Sequence, residues 1–299
     1  MTVASTIVFN NPATIAGLPG IKDYADPVIL PFTKWLLDFT DGRCQPTKNV
    51  IVPGLLANGT AYKDLVSGIS AVVANGTNGA DMTANADGSI TMPGTLPAAT
   101  ASQIQVGTAG QFDMSGTNSG KGYQYVYIQW IKIPATGYTT NNQLLGFLGL
   151  SVNTSNAQVW LSTNNGLSPQ AVIGNGSGSA TVTSSVQLTP GSVAQIAISV
   201  QPFGTSPNIT IYINGQPAGS LLYGVPALVA CPAAKMALWS SAKCQVYRAS
   251  FHDMDDSIAA MTSQGYDPSN IPTAAQLILR DYQFCTGALA NTAGKPLFT

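Results

Sequence analysis

At 299 residues the chain is long enough for one large β domain or two of average size. Apolar residues make up 45%, enough for a full core, but charged residues make up only 8% against about 25% in typical domains, so Ser, Thr, Asn, Gln and Gly must supply the surface. Twelve basic and thirteen acidic residues nearly cancel to −1, leaving no basic stripe for a phosphate backbone and little net repulsion to oppose self-association.

In chain order, residues 1–32 carry Pro12, Pro19, Pro27 and Pro31 with little periodicity, and read as an extended N-terminal arm. The opening MTVASTIVFNNPATIAG has no basic start ahead of an apolar core, so the expectation is a protein that is not exported by a leader of its own. No apolar run approaches the roughly 18 residues that a membrane helix needs, so no membrane insertion is expected. TKWLLDFT (33–40) is the first convincing strand, closed by Asp41-Gly42. From 53 to 122 short apolar islands alternate with Gly, Asn and Thr, which predicts short strands and many turns.

The strand pattern is clearest from 123 to 250. YQYVYIQWIKI (123–133) places Tyr123, Tyr125, Tyr127 and Gln129 on one face and Gln124, Val126, Ile128 and Trp130 on the other. Further strands follow about every ten residues, separated by Gly, Asn or Pro, as in a sandwich or a barrel. One of them, NITIYI (208–213), sets Ile209, Ile211 and Ile213 on one face before Asn214-Gly215, the pair a two-residue type I′ turn demands. Pro217 marks the returning strand as short or at a sheet edge. Helical periodicity appears only at 256–265 and 273–284, with Thr273 after Pro272 placed to cap the second helix.

Chemistry has a small cast. All thirteen acids are aspartate, no glutamate is present, and His252 is the only histidine. FHDMDD (251–256) is the one acidic cluster, and Asp253 and Asp255 share a side if extended, which would suit a cation; the competing reading is helix capping at a strand-to-helix junction. No nucleophile elbow, phosphate loop or dinucleotide fingerprint is present. Cys44, Cys231, Cys244 and Cys285 are too widely spaced for a zinc site, and a chain of this size needs no disulfide staples. The Tyr123, Tyr125, Tyr127 row suits a groove for a ligand or a subunit contact. No cofactor is expected.

The order of the late segments (YIQWIKI, AQIAISVQ, then IYINGQPAG, then KMALWSSAKCQVYRASFHDMDDS) resembles the laminin-G/concanavalin A-like jelly-roll superfamily over roughly residues 33–265. The resemblance implies an all-β, antiparallel β-sandwich at 33–265, between the arm at 1–32 and a helical or extended tail at 266–299. It also implies that the first and last strands lie side by side, bringing Cys44 near Cys244. Many enzymes of this fold class use paired glutamates, which this chain lacks, and no strand presents two aspartates in alternation inside an aromatic cleft, so a non-enzymatic role is expected. The closing segment is similar to domains of bacteriophage tail and baseplate proteins. That implies a virion component made in the host cytoplasm, a homo-oligomer with a trimer among its symmetries, touching other virion proteins and a host-surface glycan. A free carbohydrate-binding module, an aspartate-based polysaccharide depolymerase and a capsid decoration protein are the alternatives.

Overall fold

The computed structural model describes residues 26–47, 49–74, 82–92, 102–114, 124–136, 146–149, 157–164, 166–203, 206–223, 228, 230–238, 244–255, 257–265 and 267–287. The first 25 residues of the expected arm, the end of the tail and Tyr123 lie outside the described residues.

The strands are β1 (Thr33–Asp38), β2 (Gly54–Leu55), β3 (Ala61–Lys63), β4 (Ser70–Ala74), β5 (Thr83–Ala84), β6 (Ile90–Thr91), β7 (Gln103–Val106) and β8 (Tyr125–Lys132). They continue with β9 (Gly146–Gly149), β10 (Ala157–Thr163), β11 (Pro169–Gly174), β12 (Ser179–Thr183), β13 (Val193–Phe203), β14 (Ser206–Ile213), β15 (Gln216–Leu222), β16 (Met236–Leu238) and β17 (Gln245–Asp253). Among the described residues two α-helices follow, α1 (Ser257–Ser263) and α2 (Ala274–Cys285), with a short 3-10 turn at Pro268–Asn270 between them. One sheet runs β15-β14-β13-β8-β17-β6-β5-β2 with β1 added on β17, and the other runs β12-β11-β10-β9-β16-β7-β4-β3. Every pairing recorded between the described strands is antiparallel. The protein is therefore an antiparallel β-sandwich with short helices after its strands, and the first of the described strands pairs with the last as the resemblance implies.

Alternation sorts residues between two cores. Tyr125, Tyr127, Ile131, Ile196, Ile198, Val200, Ile209, Ile211 and Phe251 face the other sheet and meet Val73, Ile104, Leu161, Ile173 and Leu238 there. Each fully buried Ile or Val of this kind contributes about 1.5–3 kcal/mol. The intervening residues Val126, Ile128, Trp130, Ala197 and Tyr212 face outward, and form a second core under α2 with Val28 and Phe32. The larger sheet is thus covered on both faces. Residues 26–32 belong to that second cover, since Val28 and Phe32 are fully buried.

The expected hairpin is present as β14–β15, with φ of 51° at Asn214 and 78° at Gly215, the left-handed pair a type I′ turn requires. β15 is the edge strand that Pro217 predicts. Helix α2 starts at a complete capping box: the Thr273 hydroxyl accepts from the Gln276 amide, while the Gln276 side chain accepts from the Thr273 amide. All four cysteines are buried, and no disulfide is formed among the described residues, so Cys44 and Cys244 share the inner core without a bridge. Among the described residues no helix is long and apolar enough to cross a membrane.

Candidate functional site

The polar groups that chemistry would need lie in two places, one buried and one open. The buried group is a seam across the outward face of the larger sheet, and it centres on Arg248. Its Nη1 donates to Asp26 Oδ2 at 2.6 Å and approaches Asp38 Oδ2 at 3.4 Å, while its Nε donates to Asp281 Oδ1 at 3.0 Å. Asp281 lies mid-way along the buried stripe of α2, between Leu277, Ile278 and Phe284. Its other oxygen accepts from Trp130 Nε1 at 2.7 Å and Gln195 Nε2 at 2.8 Å. The guanidinium also lies 5.9 Å from the Phe284 ring centre. The carboxylates around it raise the Arg248 pKa against the opposing effect of burial. One side chain thereby ties the segment at 26, the end of β1 and α2 to β17.

Gln195 continues the seam into the hairpin. Its amide donates to Asn214 Oδ1 at 3.0 Å, and its side-chain oxygen accepts from the Gly215 amide at 2.8 Å. Its side-chain nitrogen also donates to the Ile278 carbonyl at 3.0 Å. The turn is thus a seat for α2: a Cβ on Gly215 would lie 3.0 Å from Leu279 Cδ1 and 3.1 Å from Tyr282 Cβ.

His252 belongs to the same face. The Thr33 hydroxyl spends its proton on the Val28 carbonyl at 2.8 Å and accepts from the Leu30 amide, so toward His252 Nδ1, 3.0 Å away, it can only accept. The network therefore assigns the proton to Nδ1 and makes Nε2 the acceptor of the Ser250 hydroxyl at 3.0 Å. Burial, reinforced by the Arg248 charge, lowers the His252 pKa from 6.5 to about 3. The only imidazole is neutral, doubly bonded and inaccessible.

The open feature is a cleft of about 420 Å³ at one mouth of the sandwich. One wall is Thr33 and Lys34 of β1 with Phe251 and Asp253 of β17; the other is Ser67 and Ile69 before β4 with residues 111–114 after β7. Lys34 enters it through a β-bulge. Thr33 pairs with His252 and Trp35 with Phe251, so Lys34 is the extra residue, and the bulge re-aims it from the pleat. Its ammonium lies 3.3 Å from Asp253 Oδ2, while Asp253 Oδ1 accepts from the Asp255 amide at 3.2 Å. Across the cleft, Asp113 accepts from Gln158 Nε2 at 2.6 Å and from the Cys231 amide at 3.0 Å. Beneath lie Phe112 and Phe251, ring centres 6.0 Å apart, with Tyr125 a further 5.6 Å from Phe251.

Several expectations change here. Tyr125 and Tyr127 are fully buried in the inner core, with the Tyr125 hydroxyl donating to the Gln158 carbonyl at 2.6 Å and Tyr127 to Gln129 Oε1 at 3.1 Å. These two tyrosines are packing, because the face carrying them points at the opposite sheet rather than at solvent. Asp253 does line an open site, but as the partner of Lys34. Neither Asp253 nor Asp255 sits in a group of three or more His, Cys, Asp or Glu side chains placed for a metal among the described residues. Asn214 and Gly215 form the expected turn. No described strand presents two aspartates in alternation here, but Asp113 from a loop and Asp253 from β17, positions 140 apart, share one cleft with aromatic residues. The sequence reading missed Lys34, Asp113 and the Arg248 seam. Asp281 was findable, as an acid in the middle of the apolar stripe of AAQLILRDYQFC.

No family model matches the chain, and no curated protein matches it. Among solved structures, it is similar to a chain crystallised as HCR/D-Sa-GBL1/C, at 13% identity and a TM-score of 0.50 over 79% of this chain and 53% of that one. It is also similar to the botulinum neurotoxin serotype D/C binding domain (12% identity, TM-score 0.49, 78% and 53% covered). A third is a Trypanosoma rangeli sialidase (11% identity, TM-score 0.45, 91% and 35% covered). The chain spans about half the length of the first two and about a third of the sialidase. The likeness to the first is one of fold.

Proposed function

We propose that the chain is a non-enzymatic structural component of a bacteriophage particle, in the tail, baseplate or fibre apparatus, which self-associates and recognises a host-surface glycan. One observation carries the non-catalytic half of this reading: the groups best suited to acid–base work hold the fold together. His252 is sealed and neutral, and Asp26, Asp38 and Asp281 surround Arg248. A low-charge, hydroxyl- and amide-rich surface with a net charge of −1 suits packing against neighbouring subunits.

The test is sedimentation of particles from the source through a density gradient, with quantitation of this chain against a major structural protein. A fixed stoichiometry is expected. Abundance in the lysate with none in the particle would sink the reading. A second reading, an aspartate-based depolymerase, is favoured by the shared cleft of Asp113 and Asp253. It requires release of reducing ends from polysaccharide by the wild type, and loss of that release in both Asp113→Asn and Asp253→Asn.

A further inference from the structure

We infer that the cleft between β1, β17 and the 111–114 loop is a binding site for one or two units of a neutral, hydroxyl-rich sugar, and that it discriminates against acidic ones. This rests on the recognition half of the function proposed above.

The site is built before any ligand arrives. A bulge delivers Lys34, a strand end holds Asp253 nearly sealed with a side chain 4% exposed, and hydrogen bonds to two other segments fix Asp113. The floor is a packed aromatic cluster in which Trp35, Phe112 and Tyr125 all contact Phe251. Such pre-organisation lowers the ordering cost of binding. At about 420 Å³ the space falls within the range of roughly 300–1,000 Å³ typical of small-molecule sites.

The lining chemistry then selects the ligand. Lys34 Nζ and Asp253 Oδ2, 3.3 Å apart, present a donor beside an acceptor. Adjacent hydroxyls on a sugar ring answer both at once, one oxygen accepting from the ammonium while its neighbour donates to the carboxylate. Ile69 and Met114 offer apolar surface to the C–H face of the ring. One ammonium stands against two carboxylates, Asp113 and Asp253, so the cleft repels a sugar acid. A polyol without charge is the chemistry left.

The experiment is saturation-transfer NMR and calorimetry on the full chain. The probes are glucose, galactose, mannose, N-acetylglucosamine and their β-linked disaccharides, with glucuronate and sialic acid as charged counterparts. At least one neutral probe is expected to bind, with the acids at least about tenfold weaker. Lys34→Met and Asp253→Asn are each expected to weaken the neutral probe by at least about fivefold, while Arg280→Ala on α2, away from the cleft, leaves it unchanged. Lys34→Met changes a part-exposed side chain, so it stays informative if Asp253→Asn fails to fold. The inference is overturned by no response to any neutral probe, by binding that Lys34→Met leaves intact, or by preference for the acids. Incorporation into particles without sugar binding overturns this inference and spares the structural reading; sugar binding by a chain absent from particles does the reverse.

Discussion

Arg248 shows what a single side chain can organise in this protein. Its side chain is 1% exposed and reaches carboxylates 222, 210 and 33 positions away in sequence. Breaking a buried pair leaves an uncompensated charge, which costs about 3–5 kcal/mol. Arg248→Met and Asp281→Asn are therefore expected to destabilise by amounts of that order in urea titrations. Asp38→Asn, with its longer 3.4 Å contact, is expected to destabilise less. His252 makes a second residue-scale prediction. Its pKa is about 3 in the fold and near 6.5 unfolded, so between these values the unfolded chain holds a proton that the folded chain lacks. Its contribution is intact above pH 6.5 and is lost as pH falls, by up to about 1.4 kcal/mol per pH unit. Replacing His252 by Gln is expected to flatten the stability-versus-pH slope between pH 6 and 4 by roughly one proton, read from urea titrations across that window.

The hairpin and the C-terminal helix work as one unit. Gly215 serves two demands at once, a φ of 78° and a surface flat enough for Leu279 and Tyr282 to approach. Gly215→Ala is expected to lose about 1–2 kcal/mol from the left-handed backbone alone. It should also raise amide exchange throughout 274–285, because the added methyl pushes against α2. Thr273→Ala removes one half of the capping box and is expected to lose about 1 kcal/mol, with exchange rising only in the first turn. The turn and the cap were legible in the sequence, because Asn-Gly after alternating isoleucines, and Thr273 after Pro272 ahead of a helical pattern, are local signals. That the turn seats the helix was not legible. It depends on Gln195, nineteen positions before Asn214 and 83 before Ile278, pointing outward at the right register.

For the molecule as a whole, the strands of the sandwich could be read from alternation, and the closing strand pair came from the family resemblance, whereas the side on which a given row falls could not be read. Tyr125 and Tyr127 illustrate the reason: alternation separates two faces of a strand without saying which is wet, and here both are dry. Lys34 illustrates another, since a bulge breaks the period by which faces are counted. The double cover yields a prediction of its own. A chain ending before Ala274 would lose the helix over Val126, Ile128 and Trp130, and is expected to bind a hydrophobic dye and aggregate, as light scattering would report.

The marriage of β1 to β17 carries a consequence for biosynthesis. Trp35, Leu36 and Leu37 find their ladder partners only at Phe251, Ser250 and Ala249, so β1 leaves the ribosome long before its partner β17. Loop closure over such a distance is slow, and the waiting strand stays exposed to wrong partners until then. A nascent fragment that stops short of residue 245 cannot complete the larger sheet, so closure itself checks that translation has passed β17.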